Sequence, residues 1–262
     1  MNISNFDVDF DLFTGKKVGD ILILSFKEKP LLHVTDLNVK KELFDYLDAI
    51  DCCDEIKVLL IRESPSKMNR KEYIAFYENI IDPEFDRMSL ERMYYAVSQF
   101  IVKLADLNKM VIHADCGNVI LLFMNISLAC NYRIVADDTV YQNPDIELGV
   151  VPKGGSVFFL SKMLGTVTAS RILLSGEDLT AVQAQELGIV DKVVSLKDLD
   201  RISLETAQRY ASLPSGYSIG IKKLLNFDLK ELVHYLEFEN QLIQRQIRSC
   251  HLHNFGRLNE NL

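Results

Sequence analysis

Short apolar runs alternate with amphipathic segments along the first third of the chain. Residues 21–26 (ILILSF) and 57–62 (KVLLIR) are nearly continuous apolar runs, which predict buried strands. Between them, residues 36–50 place leucine, tyrosine and isoleucine at helical spacing, and Asp36 is a suitable N-cap for that helix. Residues 63–88 contain two prolines and many charges, so they predict a long surface excursion with some helix in it.

The middle of the chain continues this alternation. Residues 89–107 carry apolar side chains on one helical face, and residues 110–114 (MVIHA) predict another buried strand. Alternating strands and helices of this kind indicate a parallel α/β core. The elements predicted next are a turn at 116–118, a buried helix at 119–130, a strand at 132–135, and a loop through Pro144 and Gly149.

The last third of the chain is predicted to be mostly helical. The Gly154–Gly155 pair is expected to open one helix, and Gly165 to close it. Because no linker separates two folding units, we expect an α/β core at 1–197 and a helical C-terminal region at 198–262, with a poorly ordered end at 249–262. Helices are predicted at 157–164, 167–174, 180–187, 198–212, 217–226 and 229–247, with a short strand at 189–194.

The composition narrows the class of protein. With 262 residues, 48% of them hydrophobic, the chain has material for one sizeable core and a smaller helical appendage. The formal net charge of −8 disfavours nucleic acid and membrane surfaces as partners. The N-terminus carries acidic residues where a secretory signal is basic, and no apolar run reaches the ~20 residues of a membrane span. Five cysteines without a CxxC pair indicate reduced thiols, so we expect a cytoplasmic protein.

Three segments carry a resemblance to a known family: NKMVIHADCGN (108–118), SLACNYRIVADDTVYQNPDIELGVVPKGGS (127–156) and LGTVTASRILLSGEDLTAVQAQELGIVDKVV (164–194). They resemble the enoyl-CoA hydratase/isomerase (crotonase) superfamily, and weaker similarity extends upstream through 36–50 and 57–62. The resemblance implies a spiral of ββα units, with C-terminal helices that mediate trimers, often paired into hexamers. It also implies an acyl-thioester substrate, whose carbonyl lies between two backbone N–H groups that stabilise an enolate.

The backbone donors implied by the family differ in this chain. One donor lies in the family pattern G-x-x-x-G-G-G, which begins here at Gly117 and replaces the three glycines by Leu121, Leu122 and Phe123. Leu122 falls at the donor position. Bulky side chains crowd the approach to the backbone there, and at a positive φ each costs on the order of 1–2 kcal/mol. The other donor loop aligns with 68–73, where Arg70 is the nominal donor.

The two glutamates that activate water in the family's hydratases are also changed. By motif they correspond to Asn125 and Asp145, a separation of 145 − 125 = 20 positions that matches the family. Asn125 cannot titrate but can hydrogen-bond, and Asp145 keeps a carboxylate that is one methylene shorter. Since a positioned proton-transfer group contributes ~10²–10⁴ in rate, we expect ordinary hydration to be crippled.

A single carboxylate is still compatible with family chemistry, because the superfamily's double-bond isomerases move a proton along the acyl chain with one acid. The leading hypothesis is an acyl-thioester-binding enzyme that performs isomerisation or another enolate-based step, with Asp145 as acid/base and Asn125 as a polar positioner. The alternative is a non-catalytic member that serves as an assembly subunit or ligand-binding regulator. We expect coenzyme A or acyl carrier protein as the carrier of the substrate, with no further cofactor and no metal.

The remaining candidate residues also have ordinary structural interpretations. Asp145 follows a proline in a loop, where an acid often serves as a turn or cap, and His113 fits a hydrogen-bonded core histidine. His251 and His253 have too few partners for a metal site. Lys222 is a candidate for a nucleotide phosphate, with solvated surface as the default interpretation. The resemblance suggests substrate or coenzyme A contacts at Met68, Gly117, Phe123, Pro144 and Lys222.

Overall fold

The computed structural model describes residues 5–33, 35–63, 67–81 and 87–248. The predicted poorly ordered end at 249–262, with His251 and His253, lies outside the described residues. Among the helices of the described ranges, none combines the length and the apolar character that a membrane-spanning segment requires.

Two sheets are formed by the strands of the described residues: β1 (Val8–Asp9), β2 (Phe13–Val18), β3 (Ile21–Phe26), β4 (Val58–Arg62), β5 (Met110–Asp115), β6 (Asn118–Ile120), β7 (Tyr132–Ala136), β8 (Val140–Gln142), β9 (Leu179–Thr180) and β10 (Lys192–Val194). The larger sheet has the order β1-β2-β3-β4-β5-β7-β10, and the smaller one the order β6-β8-β9. From β3 to β10 the larger sheet is parallel, whereas β1 and β2 form an antiparallel edge. This confirms the predicted parallel α/β core.

Helices connect and cover these strands: α1 (Pro30–His33), α2 (Leu37–Cys52), α3 (Arg70–Ile81), α4 (Arg87–Asp106), α5 (Leu121–Leu128), α6 (Asp145–Leu148), α7 (Ser156–Leu164), α8 (Thr166–Ser175), α9 (Ala181–Glu186), α10 (Leu199–Ala211), α11 (Ser215–Leu225) and α12 (Leu229–Arg248). From α10 onward the described chain is helical, which confirms a C-terminal helical region. α10 packs on the sheet and α12 packs along α4. The domain boundary after residue 197 stays a prediction.

Both faces of the parallel strands are buried, which explains why they appear as nearly continuous apolar runs in the sequence. In β3, Leu22 and Leu24 pack into the larger core with α2, α4 and α5. Ile21 and Ile23 point to the opposite face and pack into a smaller core with α10. The larger core therefore holds the side chains around which a buried site can form.

Most predicted elements are confirmed to within a few residues at each end. Asp36 is the N-cap of α2, and its carboxylate accepts a hydrogen bond from the Asn38 backbone N–H at 2.7 Å. The surface excursion predicted at 63–88 is wrong for the part that forms α3, because the rings of Tyr73 and Tyr77 are fully buried. The short strands β6 and β8 and the antiparallel β2 were not predicted, since each is short or carries a polar, mixed pattern.

Candidate active site

Asp145 lies at the first position of the short helix α6, and its side chain faces the larger core. The residue is 1% exposed. Its Oδ1 accepts a hydrogen bond from the Tyr73 hydroxyl at 2.9 Å, and its Oδ2 has no hydrogen-bond partner among the described residues. Burial raises the pKa of Asp145 to about 7; the Tyr73 hydrogen bond opposes this rise and the charge of Glu239 adds to it. A carboxyl group with this pKa can both accept and donate a proton near neutral pH.

Three buried tyrosines on α3 and α4 form a cluster next to this carboxyl group, and Tyr73 is the one that contacts it. The rings of Tyr73 and Tyr77 pack with centroids 4.9 Å apart, and the Tyr94 hydroxyl donates to the Tyr77 hydroxyl at 3.3 Å. Burial raises the pKa of all three hydroxyls well above the ordinary value, so they stay protonated as donors. The sequence interpretation of this segment as a surface excursion missed Tyr73, although the spacing of Tyr73 and Tyr77 by four residues places them on one helical face.

Asn125 occupies the buried side of α5 and is 0% exposed. Its Nδ2 donates to the backbone carbonyl of Lys153 at 2.8 Å, whereas its Oδ1 has no partner among the described residues. The packing here is close. A Cβ on Gly154 would lie 3.1 Å from the Asn125 Cβ, and Gly154 has a φ of +97°, so both the space and the backbone require glycine.

A buried ion pair connects the loop before α7 with the C-terminal helix α12. The Lys153 ammonium lies 2.9 Å from the Glu239 Oε1 and 2.8 Å from the Ser98 Oγ. Glu239 also accepts the backbone N–H groups of Gly154 and Gly155, each at 2.8 Å. These N–H groups lie at the N-terminus of α7, where a carboxylate is favourable. They are therefore occupied by Glu239, a residue that the sequence analysis did not single out.

Leu122, the predicted backbone donor, lies in the first turn of α5, where N–H groups have no partner within the helix. Its side chain and those of Leu121 and Phe123 are buried in the larger core. Among the described residues Lys29 is the one non-glycine residue with a positive φ, so the expected backbone strain at 121–123 is absent. The bulky residues are thus accommodated as helix and core, and the Leu122 N–H is retained.

Arg70, the nominal donor of the other loop, is the first residue of α3. Its guanidinium donates to Glu147 at 2.7 Å and to Asp178 at 3.3 Å, which ties α3 to the helix that carries Asp145. The preceding residue Asn69 caps α3 together with Glu72, since each side chain accepts the other's backbone N–H, at 3.0 and 3.1 Å. Residues 64–66 of the same loop lie outside the described residues.

The structure gives structural contacts to most of the remaining candidates. Met68 is buried in the larger core, Pro144 precedes α6, and Gly117 makes a turn at φ +66° with its N–H donating to Asp138 at 3.2 Å. Lys222 is 3% exposed, so the default interpretation of solvated surface is wrong. Its ammonium donates at 2.9 Å to two backbone carbonyls, those of Leu104 and Lys109, and burial lowers its pKa to about 8.

Phe123 lines an apolar cavity of about 40 Å³ between α2, α4 and α5, with room for roughly one to three water molecules. Ile126 of the same helix, Leu43 and Phe100 contribute to its walls, and Glu63 is among its few polar neighbours. Leu122 is not among its lining residues, so the two predicted site residues of this turn face different surroundings.

His113 is confirmed as a hydrogen-bonded core histidine. Its Nε2 lies 3.3 Å from the Glu63 Oε1, and both side chains are buried. A buried ion pair between Lys67 and Asp115 lies beside them, and the Lys67 ammonium also donates to the Cys116 carbonyl at 3.0 Å. Burial raises the pKa of Asp115 against the opposing charge of Lys67. This second polar cluster was not predicted, because its members are far apart in the sequence.

Comparison with known proteins gives one matching family and related structures. The family described as Enoyl-CoA hydratase/isomerase matches residues 90–256. The curated trans-2-decenoyl-[acyl-carrier-protein] isomerase of Streptococcus mutans serotype c is 26% identical over 168 residues, which are 64% of this chain and 64% of that protein. The chain thus matches less than two thirds of that relative's length.

Solved structures of the same family share the fold. Enoyl-CoA hydratase from Bacillus halodurans has a TM-score of 0.76 at 15% identity, covering 90% of this chain and 95% of that one. Enoyl-CoA hydratase/isomerase from Pseudoalteromonas atlantica T6c has a TM-score of 0.73 at 19% identity, covering 94% and 95%. At these identities the likeness shows the fold alone.

Proposed function

The chain belongs to the enoyl-CoA hydratase/isomerase family, and we propose that it isomerises the double bond of an enoyl thioester with Asp145 as its single acid/base. The observation that carries the proposal is the carboxyl group of Asp145. It is buried, has a pKa of about 7, and keeps Oδ2 without a partner among the described residues. The curated relative named as a trans-2-decenoyl-[acyl-carrier-protein] isomerase supports the same reaction class.

The proposed reaction moves one proton between two carbons of the acyl chain. The ionised carboxylate takes a proton from the γ-carbon of a 2-enoyl thioester, and the C–H electron pair shifts through the conjugated system onto the thioester oxygen. The same proton then returns to the α-carbon, which leaves a 3-enoyl thioester and restores the carboxylate. Atoms and charge balance without water, a cofactor or a metal, so one carboxyl group is sufficient.

The negative charge on the thioester oxygen requires hydrogen-bond donors. We assign this role to the backbone N–H groups of Leu122 and Arg70, each in the first turn of a helix, where the N–H groups lack intrahelical partners. Donors of this kind are worth ~10²–10³ in rate when they face the developing charge. Asn125 Oδ1 has no partner among the described residues and is an acceptor, so we propose that it accepts a hydrogen bond from an amide N–H of the thioester carrier, because the enoyl chain itself offers no donor.

Hydration is disfavoured by the same geometry. A hydratase must position a water molecule between two titratable groups, and here Asn125 cannot titrate. Asp145 and Asn125 are 1% and 0% exposed, so neither side chain contacts bulk solvent. Excluding water from a dienolate intermediate favours return of the proton to carbon.

The carrier of the acyl group is proposed to be coenzyme A or an acyl carrier protein, and coenzyme A would act as carrier and not as a cofactor. We propose that the acyl chain enters beside Phe123, whose cavity has apolar walls. The present volume is too small for an acyl chain, so we expect Phe123 to change rotamer on binding. A cytoplasmic location stays a prediction from the sequence.

We also propose that the protein forms homotrimers or hexamers through its C-terminal half. Large apolar side chains on α8 and around the α11–α12 turn are exposed in the single chain, including Val167 at 86% and Phe227 at 88%. Apolar surface of this extent is typical of an interface between subunits. Sedimentation velocity on the purified protein tests this, and a monomer at micromolar concentration would contradict it.

A non-catalytic role is the second candidate, and one observation favours it. Leu121, Leu122 and Phe123 fill the core at the start of α5, and Asp145 is closed from solvent. In this case the protein would be an assembly subunit that binds no thioester, or a ligand-binding regulator that binds thioesters without converting them. Calorimetric titration with coenzyme A, a short enoyl-CoA and a long enoyl-CoA identifies the assembly subunit by an absence of binding. Turnover of a bound thioester distinguishes the enzyme from the regulator.

The activity itself is tested with trans-2-enoyl thioesters of coenzyme A and of acyl carrier protein. We expect 3-enoyl products of unchanged mass, which chromatography with mass detection distinguishes from hydrated products. The Asp145→Ala variant is expected to lose this activity. Full activity in Asp145→Ala, or products that carry an added water, would overturn the proposed function.

A further inference from the structure

We propose that Tyr73 is the positioning residue of the acid/base: its hydroxyl fixes the Asp145 carboxyl group so that Oδ2 alone faces the substrate and moves the proton. This inference rests on the proposed function and adds to it the reacting atom and the residue that selects it. Tyr73 belongs to α3, a segment outside the three stretches that carry the family resemblance.

The geometry of the two side chains carries the inference. The Tyr73 hydroxyl donates to Oδ1 at 2.9 Å, and both residues are almost completely buried. A carboxylate in a protein normally satisfies both oxygens when it is buried, yet Oδ2 has no partner among the described residues. One oxygen is therefore held, and the other is left for a ligand.

Tyr73 itself is held in place from two directions. Its ring packs on the ring of Tyr77. The Tyr77 hydroxyl in turn accepts a hydrogen bond from the Tyr94 hydroxyl on α4. The first turn of α3 is tied to α6 by the Arg70–Glu147 contact, and this joins the helix of Tyr73 to the helix of Asp145. A side chain fixed by packing and by a neighbouring ion pair is suited to orient a reacting group.

The groups that face Asp145 define how its protonation responds to a change at Tyr73. They are Tyr73 and Tyr77 from α3, Tyr94 from α4 and Glu239 from α12, which is itself paired with Lys153. Of these, the Tyr73 hydroxyl is the one that donates to the carboxylate and thereby favours its ionised form. If this hydroxyl is removed, burial and the negative charge of Glu239 raise the pKa of Asp145 without an opposing hydrogen bond.

The test is the pH profile of kcat/KM for isomerisation in Tyr73→Phe and in the wild type. We expect the acidic limb of the variant to move to higher pH, with kcat/KM at pH 6 lower by roughly tenfold or more, since hydrogen bonds to charged groups carry this magnitude. The loss is expected mainly in kcat, because the substrate is still bound.

The matched control is Tyr46→Phe. Tyr46 is also fully buried and its hydroxyl also makes one hydrogen bond, to the Phe6 carbonyl at 2.7 Å, in a different part of the core. Tyr46→Phe is expected to lower stability to a similar extent and to leave the pH profile unmoved. If the acidic limb of the pH profile shifts equally in both variants, the effect of Tyr73→Phe is explained by a general loss of core packing, and the inference is overturned.

A second substitution keeps the test decisive if Tyr73→Phe does not fold. Site-specific 3,5-difluorotyrosine at position 73 preserves the ring and makes the hydroxyl a stronger donor, so the limb should move to lower pH. An unchanged limb there contradicts a positioning role.

The proposed function can fail separately. If Asp145→Asn keeps wild-type activity, the acid/base assignment is wrong whatever Tyr73 does. If Asp145→Asn is inactive while Tyr73→Phe keeps both rate and profile, only the inference about Tyr73 is wrong.

Discussion

Asp145→Asn is expected to stabilise the protein at neutral and alkaline pH while abolishing the proposed isomerase activity. The substitution keeps the size of the side chain and an oxygen that can accept the Tyr73 hydroxyl. It removes a carboxyl group that must be buried as an anion above pH 7. A gain in stability together with a loss of activity is the signature of a residue retained for chemistry.

The magnitude follows from the raised pKa of Asp145. The folded-state pKa is about 7 against 3.8 in the unfolded chain, so between these values the folded state holds a proton that the unfolded state has released. The wild type therefore loses stability as pH rises through this window, at ~1.4 kcal/mol per pH unit and up to ~4 kcal/mol in total. Asparagine does not titrate, so the difference in free energy of unfolding between the variant and the wild type should grow by this amount as the pH rises through the window.

Urea unfolding followed by circular dichroism measures this difference, at fixed protein concentration and at several pH values from 4.5 to 8. Asp54→Asn is the control, since it makes the same substitution at an exposed acid. If the difference in free energy of unfolding between Asp145→Asn and the wild type does not change with pH across this range, the argument that Asp145 is buried at an electrostatic cost is refuted.

Three further outcomes are expected. Lys153→Met leaves the buried carboxylate of Glu239 without its cation and should lower the free energy of unfolding, measured in urea, by ~3–5 kcal/mol. Adding Glu239→Gln should recover part of this stability. A decrease within experimental error would mean that the ion pair is not buried. Lys222→Met should lower the free energy of unfolding by ~1–3 kcal/mol, because it leaves two backbone carbonyls without a donor. The thioester affinity measured by calorimetry should not change. A large loss of affinity would instead favour a contact between Lys222 and a phosphate of the ligand. Asn125→Glu should destabilise by about 3 kcal/mol or more without producing hydrated product, and appearance of that product would contradict the closed site.

The fold could be predicted from the sequence because its signals are local. The run ILILSF predicts a strand buried on both sides, and the structure places its leucines in one core and its isoleucines in the other. Asp36 and the Gly154–Gly155 pair mark helix starts through side-chain capping and positive φ, which are properties of a few adjacent residues. Short strands such as β8 depend on partners elsewhere in the chain, and no local pattern identifies them.

The candidate site was predictable only in part, because its contacts join residues that are far apart in the sequence. Motif spacing identified Asn125 and Asp145. It did not identify Tyr73, which donates to Asp145 and lies 72 positions before it, or Glu239, whose charge acts on Asp145 from the last described helix. Charge and proline content made the segment before α4 resemble surface, and tertiary packing overrode that pattern. Lys222 shows the same effect, because a lysine near a helix end is usually solvated and this one caps two carbonyls inside the protein.

The cost of the site bears on whether the protein is an enzyme or a scaffold. Asn125 Oδ1 and Asp145 Oδ2 are buried polar atoms without partners among the described residues, and each such atom costs ~1–3 kcal/mol. Burying Asp145 as an anion above pH 7 adds a further electrostatic cost. A leucine at either position would remove these costs, so a protein that needed only the fold and its assembly would gain stability by losing both polar groups. The presence of both acceptor atoms, with the Tyr73 hydroxyl donating to only one oxygen of Asp145, is physically reasonable if a bound thioester places a transferable C–H beside Asp145 and an amide N–H of its carrier beside Asn125. This argument favours an acyl-thioester isomerase over a non-catalytic subunit.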